Sequence, residues 1–300
     1  MLEAAQTLGF EASPLARSLR TRTTYTVGFV VPDVSSPFYA AALKGAQRVL
    51  EAAGYRVMLM DSEQDVESET AALRTLLNHR VDGLLLATVG LSRTAFEQLV
   101  GGRGTPCVFI DTVVPGAGLA AVMLENGEGI RLLVDHLVGH GHSRIACLAG
   151  SQQETAGRER LDAFVKVAAE HSLAVPAELV RTCRWHQGAA REATLALLAL
   201  ERRPTAVVAS SVELALGCLA ACREQHLRLP DDLALATFDD AYFSVFVDPS
   251  LTAIAYDPIE VGRSAAALLV EAMGNDEVER REVRIPVRLI TRRSCGCEPA

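Results

Sequence analysis

The chain has 300 residues, a formal net charge of −8, 49% hydrophobic residues and 22% charged residues. That length fits roughly two domains of about 150 residues each, and the composition excludes an intrinsically disordered chain. Apolar runs such as 83–87 fall far short of the ~20 residues that span a bilayer, so no membrane partner is expected.

The acidic balance argues against a protein that coats nucleic acid over its whole surface, because phosphate contacts need Lys and Arg. A short basic end remains compatible with it. Arg17, Arg20 and Arg22 lie within six positions with no acid among them, a pattern that also suits a solvated linker. Residues 1–8 contain Glu3 and no basic stretch, which reads as no secretory leader and a cytoplasmic location. The seven cysteines are scattered, and in that setting they are expected to be reduced thiols.

Along the chain, apolar β-rich runs at 25–31, 55–60, 81–87, 106–110 and 120–124 alternate with helical periodicity at 38–53 and 67–79. A helix at 128–138, with Asn126 as its expected N-cap, opens a second series. Strands are expected there at 144–149, 206–209 and 233–238, with helices at 159–171, 189–200 and 213–225. After 249–252, Asp257–Pro258 starts a helix at 259–273, because proline suits a first helical position. Gly274–Asn275 ends it, and 283–290 reads as one late strand. Continuous apolar strands alternating with amphipathic helices predict two doubly wound α/β units with parallel sheets. A helix and strand left over after both units suggest that the chain crosses back between them.

Doubly wound sheets bind ligands beyond the carboxyl ends of their strands. Polar residues stand there in this sequence. Asp33, Ser35 and Ser36 follow the first strand, Asp61 the second and Asp111 the fourth; Ser151 and Gln152, Ser210 and Ser211, and Asp239 and Asp240 hold equivalent places later. Any one of them also suits a helix cap, but the set favours a small polar ligand. Trp185, the only tryptophan, suits either a stacking platform for a sugar ring or part of a loop cluster, and its polar neighbours Arg184, His186 and Gln187 favour the former.

No catalytic constellation emerges, since G-x-S-x-G, H-E-x-x-H, G-x-G-x-x-G and G-x-x-x-x-G-K-[ST] are all absent; no enzyme activity and no cofactor are expected. His140 and His142 stand two apart with no nearby Cys or carboxylate to complete a metal site, and read as a loop pair. Cys218 and Cys222 share a helix face as small core residues. Cys295 and Cys297 form a lone C-x-C that suits either a metal or a disulfide.

The sequence resembles the LacI/GalR family of bacterial transcriptional repressors over essentially its whole length. The segment LEAAQTLGFEASPLARSL (2–19) is similar to the end of that family's DNA-binding headpiece and its hinge helix, and VGFVVPDVSSPF (27–38) to its first core strand and turn. Further matches are Val81-Asp-Gly83, Gly141-His142, Arg158-Glu-Arg160, Phe238-Asp-Asp240, Pro249-Ser-Leu-Thr252 and Arg293-Ser-Cys-Gly-Cys297. Each is weak alone, but together, in this order, they are specific.

The resemblance implies a periplasmic-binding-protein-like core of two flavodoxin-like subdomains joined by three crossovers, working as a homodimer. The implied division is a headpiece remnant and hinge at 1–24, an N-terminal subdomain at 25–125 plus 257–275, and a C-terminal subdomain at 126–254 plus 283–297. A small effector, a sugar or related metabolite, would bind in the interdomain cleft and control operator binding through the hinge. By the resemblance, Leu19 is the wedge in the minor groove, with Ala16, Arg17 and Ser18 beside it. The helix-turn-helix of the family precedes the segment at Leu2, so operator DNA is expected as a partner only when that headpiece is restored.

Arg160, Asp239, the pair Phe38 and Tyr39, and Tyr256 match effector-lining positions, and Asp111, Trp185 and Ser211 join them from the residue reading. The family's usual Asn-Asp pair is replaced here by Ser211-Val212, and Trp185 is displaced by two positions from the stacking tryptophan of some members. Family members often end in a C-x-C without metal. The alternative reading of the same core is a solute-binding protein for a transporter.

Overall fold

A computed structural model describes residues 23–274 and 281–297. The chain forms two compact units. The first runs to Ile110 and takes in Val114–Ala121 and Ile259–Arg281; the second takes in Asp111–Val113, Val122–Pro258 and the chain from Glu282 onward.

In the first unit, β1 (Thr26–Val31) leads to α1 (Pro37–Ala52), β2 (Arg56–Asp61), α2 (Val66–Asn78), β3 (Gly83–Leu86), α3 (Arg93–Leu99) and β4 (Cys107–Ile110). β1 pairs in parallel with both β2 and β3, and β3 with β4. The sheet order is therefore β2-β1-β3-β4, continued by β5 (Ala121–Leu124) and β11 (Glu282–Ile285) on segments where the chain passes from one unit to the other. β3 and β4 are buried along their whole length, as expected of strands covered by helices on both faces. α1 meets α8 (Pro258–Gly274) backbone to backbone: a Cβ on Gly45 would sit 2.0 Å from the Ile259 carbonyl oxygen, and one on Gly262 1.8 Å from that of Ala42.

The second unit repeats the plan. α4 (Asn126–Gly139), β6 (Ile145–Ala149), α5 (Thr155–Glu170), β7 (Val180–Thr182), α6 (Gln187–Leu198), β8 (Ala206–Ala209), α7 (Val212–Glu224), β9 (Ala234–Phe238) and β10 (Thr252–Ala255) follow in order. β6 pairs in parallel with β7 and β8, β8 with β9, and β9 with β10, giving β7-β6-β8-β9-β10. An antiparallel β12 (Arg288–Ile290) closes the edge beside β10. Strand order reverses between β6 and β8, the switch point at which doubly wound sheets hold ligands. Cys218 and Cys222 are core residues of α7, packed with Leu197, Val207 and Leu235.

The fold differs from the sequence reading at its shortest elements. β7 and β10 have three and four residues and α3 seven, too short for a periodicity to register. The expected late strand at 283–290 is two strands in two different sheets. Pro286 falls between them, and a residue without an N–H cannot continue a ladder.

Candidate functional site

The carboxyl ends of β6, β8, β9 and β10 gather one cluster of polar side chains within the second unit. Ser210, just past β8, spans the switch point by accepting the Gly150 N–H at 2.9 Å from the end of β6. Arg160 reaches this point from α5 and is 4% exposed. Its Nε donates to Asn126 Oδ1 at 2.8 Å and its Nη1 to the Ser210 carbonyl at 2.6 Å. The guanidinium carbon lies 3.7 Å from the centroid of the Phe238 ring, a cation–π arrangement, and 5.8 Å from that of Trp185. A guanidinium has five N–H donors in a rigid fork. Two are spent on the scaffold, and the other three have no hydrogen bond among the described residues. A buried cation held this way is preorganised, since its geometry is fixed by Asn126 and Phe238 before anything binds.

Acids surround it. Asp239 follows β9 in the left-handed region (φ 72), with Oδ2 4.0 Å from Arg160 Nη1 and Oδ1 accepting the Tyr256 hydroxyl at 2.6 Å. Burial, and then the Asp239 charge, push the Tyr256 phenol well above its usual range. Asp111 also has a positive φ, at 62, and its Oδ1 is buried with no hydrogen-bond partner among the described residues. Left-handed backbone is costly for most L-residues and least so for Asp and Asn. Here it recurs at two strand ends, Asp111 and Asp239, whose carboxyls both interact with Arg160.

Burial raises the Asp111 pKa to about 6; the Arg160 charge pulls it down, and Asp239 and Glu159 push it up. Glu154, just before α5, is pushed up to about 7 by burial, against the hydrogen bonds of the Trp185 and Ser151 side chains. Glu213 is raised by burial and by Asp239. Glu159 goes the other way: burial would raise it, but hydrogen bonds from Arg284 at 2.8 and 2.9 Å and from Asn126 at 2.8 Å hold it below its usual range. The site thus presents Arg160, and Arg284 paired with Glu159, among several acids, two of which burial raises toward neutrality.

Six of the expected ligand residues, Asp111, Arg160, Trp185, Ser211, Asp239 and Tyr256, lie in the second unit. Trp185 packs against Gly150, where a Cβ would come 2.0 Å from its ring. Ser211 caps α7, its Oγ accepting the Leu214 N–H at 3.3 Å. Phe38 and Tyr39 lie in the first unit, in the first turn of α1, with their rings edge to face at 4.8 Å. Ala16, Arg17, Ser18 and Leu19 lie outside the described residues.

One expectation is corrected. Asn126 does not cap α4; Glu125 holds the cap position without a side-chain bond, and the Asn126 amide instead joins Arg160 to Glu159. Sequence reasoning also missed Glu154, Phe238 and Glu159 as parts of the site. The aromatic residue before Asp239 was in view as Phe238-Asp-Asp240, but nothing local shows that its ring underlies an arginine 78 positions earlier.

The periplasmic binding protein-like domain family matches residues 134–295, more than half of the chain. The ribose operon repressor of Halalkalibacterium halodurans is 30% identical over 294 residues, covering 97% of this chain and 86% of that protein. The chain belongs to the LacI/GalR family. Among its LacI/GalR relatives, the HTH-type transcriptional repressor PurR of Aliivibrio fischeri is 29% identical over 97% of this chain and 87% of its own length. Two solved structures share the fold. A LacI family transcriptional regulator from Mycobacterium smegmatis is 27% identical with a TM-score of 0.79, covering 91% of this chain and 100% of its own. A complex of the transcriptional regulator CelR with cellobiose is 25% identical with a TM-score of 0.84, covering 95% and 92%. Both curated relatives are named as repressors rather than enzymes. No described helix is long and apolar enough to cross a membrane.

Proposed function

We infer that this LacI/GalR protein is an effector-sensing transcriptional regulator, a repressor by the names of its relatives. Its effector is a small, neutral, hydroxyl-rich molecule bound at the carboxyl edge of the second sheet. The observation that carries this is Arg160, nearly buried, fixed by Asn126 and Ser210, and left with three N–H donors beside Asp239 and the unpaired Asp111 Oδ1. A hydroxyl both donates and accepts, so it satisfies an arginine fork and a carboxylate at once. Anionic effectors are disfavoured, because Asp239 already stands 4.0 Å from Arg160 and the buried Asp111 and Glu154 carboxyls add to the acidic side of the site. Trp185 offers an apolar ring face at the same edge, which suits a sugar or a nucleoside. The cellobiose bound by CelR and the ribose in the name of the Halalkalibacterium repressor belong to that chemical class.

In this reading the protein works as a homodimer in the cytoplasm. The effector alters operator affinity only as far as it prefers one conformational state over the other. Base-specific contacts need a helix-turn-helix attached to this core, with Leu19 in the hinge as the minor-groove wedge. The names of the relatives favour a regulator over a transporter's solute-binding protein, which would share the fold.

A thermal-shift panel of pentoses, hexoses, disaccharides, nucleosides and sugar phosphates tests the reading. A ligand that binds only the folded state at 100 times its Kd stabilises it by about 2.7 kcal/mol. A neutral sugar or nucleoside is expected to raise the melting temperature and its phosphorylated form to fail. Stabilisation by sugar phosphates or dicarboxylates alone would overturn the assignment of ligand class.

A further inference from the structure

Away from the effector site, the end of α4 and the C-terminal segment of the second unit bring four nitrogen and sulfur donors together. His136 and His140 stand one helical turn apart, so both rings project from the same face, with centroids 4.6 Å apart. Residues 293–295 form a short 3-10 turn anchored by Ser294, whose N–H donates to the Ser250 carbonyl at 2.9 Å and whose Oγ donates to that of Leu235 at 2.6 Å. Gly296 then takes φ 90, a left-handed conformation that suits glycine, and the chain turns back so that Cys297 faces the two imidazoles. Cys297 Sγ lies 3.1 Å from His140 Nε2 and 3.4 Å from His136 Nε2. The ligand atoms of His136, His140 and Cys297 all lie within 4.8 Å of one another. Cys295 Sγ stands beside two of them, 3.1 Å from His136 Nε2 and 3.4 Å from Cys297 Sγ.

We propose that His136, His140 and Cys297 hold a zinc-type divalent metal ion, with Cys295 as the fourth donor within reach. Bond lengths of about 2.0–2.1 Å to imidazole nitrogen and about 2.3 Å to sulfur, in a tetrahedron, place neighbouring ligand atoms about 3.3–3.8 Å apart. The separations at the two sulfurs, 3.1–3.4 Å, approach that spacing, and a small inward shift of the two imidazoles from within 4.8 Å completes it. Imidazole and thiol donors without a carboxylate select zinc, cobalt or a similar ion over magnesium or calcium. The cysteines bind as thiolates and release their protons to solvent. His140 is exposed, which gives the ion an entry path.

The resemblance to the family implied a C-terminal C-x-C without metal, and His140 was paired with His142. Here the helix histidines, rather than the C-x-C alone, make the site, and His142 faces Thr205 at 3.0 Å. A bound ion would staple the C-terminal segment to α4.

Cobalt(II) titration of the reduced, metal-free full chain tests this. The wild type is expected to bind one equivalent, with a thiolate-to-cobalt charge-transfer band and the visible bands of tetrahedral cobalt, and zinc is expected to bleach both. His140→Gln and Cys297→Ser, at peripheral positions that leave the core untouched, are expected to abolish the charge-transfer band. Cys183→Ser, a half-buried cysteine elsewhere, is expected to keep it. Absence of the band in reduced wild type, or wild-type stoichiometry in Cys297→Ser and His140→Gln, overturns the site. Loss of two thiols to a Cys295–Cys297 disulfide in freshly reduced protein, with no cobalt band, overturns it as well.

Discussion

Replacing Glu154 by Gln isolates the cost of keeping an acid at the base of the candidate site. Glu154 is 7% exposed, and burial lifts its pKa from 4.5 to about 7 in the folded chain. Below about pH 4 the folded and unfolded forms are both protonated, and the group contributes no pH dependence. Between 4.5 and 7 the unfolded chain loses its proton while the folded chain keeps it, so the folded state binds more protons and stability falls as pH rises. By about pH 8 the loss reaches about 3 kcal/mol, at 1.36 kcal/mol for each tenfold change in proton affinity. Gln does not ionise and still presents an oxygen to the Trp185 side chain. Glu154→Gln is therefore expected to gain stability relative to wild type by about 3 kcal/mol between about pH 4 and pH 8. Urea denaturation followed by fluorescence measures this in the second unit, because Trp185 is the only tryptophan and lies beside Glu154. A stability difference between the two proteins that stays constant over that range would refute the reasoning.

Arg160→Lys keeps the charge but cannot reach Asn126 and Ser210 together; the unpaired Asn126 amide oxygen is expected to cost about 1–3 kcal/mol in urea denaturation, with a larger relative loss in ligand affinity. Gly150→Ala places a Cβ within 2.0 Å of the indole, so a red-shifted tryptophan emission and weakened sugar binding are expected, and an unchanged spectrum would contradict the packing. Asp239→Asn removes the charge next to both Arg160 and Tyr256, and the Tyr256 phenol is expected to titrate at lower pH than in wild type by ultraviolet difference spectroscopy.

The fold was legible because its signal is local. β3, β4, β6 and β8 are unbroken apolar runs, and α1, α2 and α5 carry their apolar residues at helical spacing. β7, with two half-buried residues and one exposed, offers no such signal. The site was legible only where a strand ends, as at Asp111 and Asp239, or where a family motif names a residue, as at Arg160. Asn126 was misread because its helix-start position suits a cap, whereas its actual partners lie 33 and 34 positions away. The His136–His140–Cys297 cluster was hidden for the same reason. An interaction across about 160 residues leaves no periodicity behind, and His136 alone reads as one more position on an amphipathic helix.

Calorimetric titration of wild type and Arg160→Ala with the strongest neutral ligand from the stability panel tests the central claim most directly. Removing a charged donor set from a buried polar contact is expected to weaken binding by about 2–5 kcal/mol, or roughly 30- to 5,000-fold in Kd. Equal affinities in two folded proteins would place the effector away from Arg160 and contradict the site.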